Sequence, residues 1–347
     1  MHMADALLSP AVGGAFWAGS AAAIGLCSKK IRDAGDDRIV PLMGVLGAFI
    51  FAAQMLNFSI PGTGSSGHLG GGIILAALLG PHAAFIVMAS VLTVQALFFA
   101  DGGLLALGCN MWNLGAYPCF VAYPLIFKPM VGAGGSSKMF FAASLLSAVA
   151  GLQLGAFSVV LETLASGRLE IPFGTFLLLM QPIHLAIGLI EGLATAGIVL
   201  FVKNARPEIL DSAGGTGPAR RGSLAGVLAF VAICAVISGG ALSLLASSDP
   251  DGLEWSIERI TGERELPERG AGITGVLKRL QETTAIMPDY SFKKQEPQPG
   301  ATQEKPEQPA EPFDAGTPVS GILGSTIVLC AVLLAGFIAK RRNRCRV

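Results

Sequence analysis

Apolar residues gather along this chain in runs that are too long and too uniformly hydrophobic for buried strands. Nine runs stand out, at about 11–28, 39–57, 69–80, 82–100, 104–127, 139–165, 173–202, 223–246 and 319–339. Roughly 20 apolar residues in a helix cross a hydrocarbon core of about 30 Å, so the pattern predicts a series of membrane crossings. The third run is short and is parted from the fourth only by Gly80-Pro81-His82. If those two formed one helix, every later loop would change sides.

Composition agrees with the pattern. The chain is 52% hydrophobic and 14% charged, with a mean hydropathy of +0.61, whereas soluble domains carry about 25% charged residues. The expected fold is an all-α, polytopic membrane helical bundle of about nine transmembrane helices. Basic residues, which collect in short cytoplasmic loops, separate the two counts. With nine spans and the N-terminus outside, Lys29, Lys30, Arg32, Arg38, Lys128, Lys138, Lys203, Arg206, Arg220, Arg221 and the C-terminal basic tail all lie inside. The short outer loops keep only Arg168, and the other basic residues sit in the long segment 247–318, whose length exempts it from the rule. The expected topology is therefore N-terminus outside and C-terminus inside, with Pro81 dividing two crossings or a broken hairpin.

Chemistry concentrates on the outer face. Residues 59–72 read SIPGTGSSGHLGGG, and Gly62, Gly64 and Gly67 fit the dinucleotide-binding spacing G-x-G-x-x-G. That motif needs a strand before it and a helix after it in a βαβ unit, and no such unit surrounds it. The topology puts the same loop beside the N-terminus. MHMADALLSP has neither the basic start nor the apolar stretch of a cleavable signal, so Met1 and His2 are expected in the mature chain. A Met-His start offers an amine, an amide nitrogen and an imidazole in adjacent chelate rings, which suits Ni(II) or Cu(II), with Co(II) weaker. His68 would supply a fourth nitrogen. The plainer alternative makes His2 incidental and His68 a helix cap.

MHMADALLSPAV, the loop from PGTGSSGHLGGG through DGGLLALGCNMWNLG, and HLAIGLIEGLATAG resemble the substrate-binding membrane component of cobalt and nickel transporters of the energy-coupling factor type, over about residues 1–203. The resemblance implies metal ligation by the amine of Met1, the amide and ring of His2, and His68. It implies Ni2+ or Co2+ as the transported substrate. It also implies dependence on a transmembrane coupling subunit and ATP-binding cassette ATPase subunits, in the membrane lipid of a prokaryotic inner membrane and without nucleic acid. Met3 and Ala6 depart from the usual Ile and Gly without touching the ligands. PDGLEW (250–255) and MPDYSF (287–292) resemble the small accessory component of the same systems, here fused to the first. The expected organisation is a metal-binding seven-helix membrane domain at 1–203, a cytoplasmic linker at 204–222, and an accessory two-helix domain at 223–347. Its extracytoplasmic segment, 247–318, has a net charge of about −6 from 14 acidic and eight basic residues. The simpler reading of that segment is a spacer, ending in an extended tether rich in Pro, Gln and Glu.

Other polar residues read less directly. His184 and Glu191 share one helix face and are expected to be hydrogen-bonded internally rather than to pass metal. His82 falls on the cytoplasmic side, too far from His2 to share an ion. Asp101, Asn110 and Asn113 either support the metal loop from behind or belong to a tight turn. The six cysteines lack C-x-x-C spacing and read as small apolar residues. No Walker lysine is present, so import would depend on separate ATPase subunits. The rival reading, an ATP-independent secondary transporter of divalent metal or another small solute, calls for an inverted repeat and intramembrane carboxylates, of which only Glu162 and Glu191 are available. An enzyme would need clustered His and carboxylates.

Overall fold

The computed structural model describes residues 1–36, 39–132, 134–168, 170–214, 225–263, 266, 272–292 and 315–344. Twelve helices follow one another: α1 (Pro10–Ala34), α2 (Ile39–Gln54), α3 (Gly72–Leu79), α4 (Pro81–Phe98), α5 (Leu107–Val131), α6 (Ser137–Ser166), α7 (Phe173–Ala205), α8 (Pro207–Gly214), α9 (Ala225–Leu245), α10 (Gly252–Thr261), α11 (Ile273–Thr284) and α12 (Gly316–Arg344). Among the described residues the only sheet is a hairpin of β1 (Phe58–Ile60) and β2 (Ser65–Gly67).

Local chemistry sets the helix ends. Ser9 caps α1 by accepting from the amide of Val12, with Pro10 in the first turn, and Gly35 ends it in the left-handed region. Ser136 and Gly167 do the same for α6. In α5 the stretch Trp112–Phe127 is wound as a π-helix around Pro118 and Pro124, neither of which has an N–H to donate.

The all-α membrane bundle is as expected, with a change in its count. Among the described residues seven helices are long and apolar enough to cross a membrane: α1, α4, α5, α6, α7, α9 and α12. The expected second span is the 16-residue α2, and the expected third is the eight-residue α3. At 1.5 Å per residue α3 rises only about 12 Å, too little to cross a membrane by itself. Its eight residues are all buried, because the helix is wrapped by others instead of by lipid. Gly80, with φ 75° and ψ 161°, breaks the chain before Pro81 starts α4, which keeps α3 and α4 from merging.

The accessory helices pack on the first part of the chain. Leu329 and Val328 of α12 lie against Gly44 and Gly47 of α2, and the Ser325 hydroxyl donates to the carbonyl of Ala48 at 3.0 Å. At the end opposite the N-terminus, Lys203 donates to the carbonyl of Gly135 at 2.7 Å and lies over the ring of Phe140. His82 Nδ1 lies 3.7 Å from the sulfur of Cys27.

The spacer reading of 247–318 is overturned for its described part. Residues 248–263 and 272–292 fold onto the end of the bundle that carries the N-terminus. The Ser66 amide donates to the carbonyl of Pro250 at 2.8 Å, and the Trp255 indole donates to the carbonyl of Thr63 at 3.1 Å. Gln281 donates to the carbonyls of Ala96 and Gly102, at 2.9 and 2.7 Å. Apolar anchors such as Leu253, Ile257 and Met287 are buried beneath these contacts, which a net acidic charge does not reveal. The Pro-rich tether lies outside the described residues. Single cysteines introduced at Pro61 and at Glu282 are expected to react with a membrane-impermeant maleimide from the outside of intact cells, and one at Ala34 only after permeabilisation; labelling of Pro61 and Glu282 from opposite sides would refute this arrangement.

Candidate metal site

The N-terminus enters the bundle instead of fraying into solvent. Met3 is fully buried and shares a two-way contact with Asn110, donating its amide to Oδ1 at 2.8 Å and accepting from Nδ2 at 3.3 Å. The amide of Gly103 donates to the Met3 carbonyl at 2.9 Å, and Asp5 accepts from the amide of Ala106, also at 2.9 Å. A side chain at Gly103 would overlap the Asp5 carboxylate, which gives the glycines of the ADGG turn a reason. Asn110 thus holds the N-terminal segment rather than the histidine loop. Asn113 instead donates to Glu162 at 3.0 Å and contacts the Met3 sulfur.

Held this way, Met1 and His2 meet three other elements. The Met1 ammonium is 3.0 Å from Asp251 Oδ2 and almost wholly buried. The other oxygen of Asp251 accepts from the amides of Leu253 and Glu254, capping α10. Burial opposes the charge on Asp251, yet the ammonium beside it and these amides hold the carboxyl well below the usual range. His2 Nδ1 lies 2.9 Å from Asp101 Oδ1, and the Tyr290 hydroxyl donates to the other oxygen of Asp101. Burial and the adjacent Asp101 raise that hydroxyl far above its ordinary value, so it remains a donor.

His68 arrives from the glycine-rich loop. Gly62 and Gly64, at φ 78° and 73°, make the turn of the β1–β2 hairpin, a backbone that residues with a Cβ adopt rarely. The loop is anchored from below by Glu191 of α7, which accepts from the amides of Gly70 at 2.7 Å and Gly71 at 3.0 Å. This is the internal bonding expected of Glu191. The rings of His2 and His68 stack at 5.0 Å between centroids and 22° between planes. Burial above all, with help from the nearby ammonium and His2, pushes His68 down to about 4, so it is neutral near pH 7 and keeps a lone pair for a metal. His184 lines the same small cavity, of about 10 Å³, together with Met1, His68 and Asp251.

The expected donors are therefore neighbours although His68 is 66 positions from His2 in sequence. Among the described residues no three His, Cys, Asp or Glu side chains point at one centre, the Met1 amine and His2 Nδ1 are taken by carboxylates, and His2 Nε2 is buried without a partner. Any ion bound by these nitrogens has to displace Asp251 and Asp101 first. Both carboxylates depend on the accessory segment, Asp251 by position and Asp101 through Tyr290. Three described non-glycine residues have positive φ, Tyr290 itself and Ala100 and Asp289 beside the two members of the Asp101–Tyr290 contact, the kind of place where backbone strain collects. Asp251 and Tyr290 were absent from the sequence-based site, although PDGLE and MPDYSF were visible as motifs.

Residues 2–209 match the family described as the cobalt uptake substrate-specific transmembrane region. The chain belongs to this family. Residues 225–341 match the PDGLE domain. A NikMN-type fused chain of Archaeoglobus fulgidus is 32% identical, covering 95% of this chain and 96% of its own length. The fused nickel transport protein of Rhodobacter capsulatus is 29% identical over 99% of both chains. Among solved structures, a truncated transition metal transporter is 28% identical with a TM-score of 0.53, covering 59% of this chain and 99% of its own. The protein is thus a multi-pass transport protein of the prokaryotic cell membrane, with a metal-uptake component and a PDGLE component in one chain.

The anchoring of the loop is open to measurement. Glu191→Ala removes the acceptor of two buried amides, each unmet group being worth about 1–3 kcal/mol, and is expected to lower stability in detergent by roughly 2–6 kcal/mol. Glu191→Gln, which keeps one acceptor oxygen, is expected to lose about half as much. Equal midpoints for Glu191→Ala and wild type in thermal unfolding would show that Glu191 does not hold the loop.

Proposed function

We propose that this chain is the substrate-specific component of an ATP-dependent energy-coupling factor transporter that imports nickel or cobalt ions, nickel being favoured. The ion is taken at the outer face by the Met1 amine, the amide and ring of His2, and His68. The observation that carries this reading is the burial of the chain's first two residues against a loop histidine. Termini are normally solvated, and Met1 is 4% exposed. A charged amine placed so deep is costly unless paired or functional. Five- and six-membered chelate rings from amine, amide and Nδ1, closed by one imidazole, form a nitrogen plane that suits Ni(II) and accepts Co(II). The two carboxylates keep the donors in place until the ion arrives.

The names of the relatives support nickel and cobalt as cargo. Dependence on a transmembrane coupling subunit and ATPase subunits is supported by the missing Walker sequence, and the G-x-G-x-x-G match lies in a hairpin turn rather than at a helix start. The secondary-carrier alternative fares worse. Glu162 is engaged by Asn113 and Ser158, and Glu191 by the amides of Gly70 and Gly71, so neither is left to couple an ion flow.

Two experiments test the reading. Placing one or two residues before Met1 converts the amine to an amide while leaving every side chain in place, and this extension, His2→Ala and His68→Ala are each expected to weaken Ni2+ or Co2+ binding at least roughly tenfold, the scale of 1.4 kcal/mol. Calorimetric titration of purified protein decides it, and an extended chain that binds as tightly as the native one excludes the amine as a ligand. Expressed without ATPase and coupling subunits, the chain is expected to support little concentrative uptake; strong accumulation abolished by a protonophore would favour the carrier.

A further inference from the structure

His184 of α7 is 1% exposed. Its Nδ1 lies 2.7 Å from the carbonyl of Met180, one turn earlier, so Nδ1 carries the hydrogen and Nε2 holds a lone pair. That Nε2 is buried and has no partner. It faces the cavity shared by Met1, His68 and Asp251, whose remaining walls include Leu114, Leu152 and Ile187. Gly252 closes over the ring: a Cβ there would stand 3.1 Å from His184 Cε1 and 2.6 Å from Ile183 Cγ2, so the start of α10 sits on the imidazole because residue 252 has no side chain. A histidine kept only for packing satisfies both nitrogens or gives way to an apolar residue. This one has its tautomer fixed by a backbone carbonyl, the arrangement that readies the opposite nitrogen for a metal.

We propose that His184 is a relay ligand, accepting the transported divalent cation through Nε2 after it leaves the Met1, His2 and His68 donors. The assignment rests on the reading of those three residues as the entry site. One imidazole beside the Asp251 carboxylate binds a borderline cation such as Ni2+ or Co2+ more weakly than a three-nitrogen chelate does, and weak binding suits a station the ion has to leave. The rest of the lining includes the apolar side chains of Leu114, Leu152 and Ile187, so His184 joins Met1 and His68 as a nitrogen-bearing wall of this cavity.

The test uses the full chain. His184→Gln, which keeps a donor for the Met180 carbonyl but removes the imidazole lone pair, is expected to leave Ni2+ affinity in calorimetry within about twofold of wild type. The same variant, with ATPase and coupling subunits co-expressed, is expected to lose at least about tenfold in initial Ni2+ uptake. His184→Cys provides a second readout independent of transport: Co2+ added to the purified variant is expected to give a near-ultraviolet thiolate-to-cobalt charge-transfer band that wild type, with its own cysteines, lacks. Wild-type uptake by His184→Gln, or no such band in a folded His184→Cys protein, overturns the relay. If His2→Ala and His68→Ala bind as wild type does, the entry-site reading fails instead, and the band still reports whether metal reaches position 184.

Discussion

A buried positive charge at the very start of the chain organises this end of the molecule. The ammonium of Met1, 3.0 Å from Asp251, has left water, and a charge so placed needs an opposite charge with good geometry. Asp251 provides it while capping α10, so the helix, the cap and the ion pair form or fail together. The hairpin reaches the same point through Ser66, and the turn after α4 reaches it through Asp101, His2 and Tyr290. Pieces separated by up to 250 positions therefore meet around one small group of polar atoms at one end of a largely apolar bundle.

On the ligation proposed above, the arrangement separates two demands that a metal importer has to reconcile. Nitrogen donors must stay ordered without metal, or each capture would begin from a disordered terminus. They must also remain available, or no ion would displace what holds them. Carboxylates meet both needs, since they order an amine and an imidazole through charge-assisted hydrogen bonds while leaving the nitrogens close together. The stacked rings of His2 and His68 describe a set that is gathered but not closed.

Much of this was legible in the sequence, for definite reasons. Long apolar runs have little choice but helix where water is absent, so the bundle could be read, while basic residues in the short loops set the expected direction. Met1, His2 and His68 stand out in the sequence because a Met-His start and a glycine-rich histidine loop are chemically distinctive, and the structure makes them neighbours. Run length could not show that 69–80 holds only a short helix, since an apolar loop dipping into protein looks like a span. Asp251 was hidden for another reason: an acidic residue in a net acidic segment reads as solvated, and its pairing with an amine 250 positions earlier leaves no local trace. His184 and Glu191 were recognised as sharing a helix face, but which atoms they meet depends on the loop folded over them.

The PDGLE segment is joined to the metal-uptake domain by one continuous chain. Asp251 is consequently supplied at a fixed ratio of one to one and at an effective concentration set by the connecting segments, whatever the expression level. An accessory protein encoded separately would have to find its partner by diffusion in the bilayer, and the occupancy of the lid over Met1 would follow its abundance. Fusion removes that dependence: dilution in the membrane leaves the pairing of lid and N-terminus unchanged.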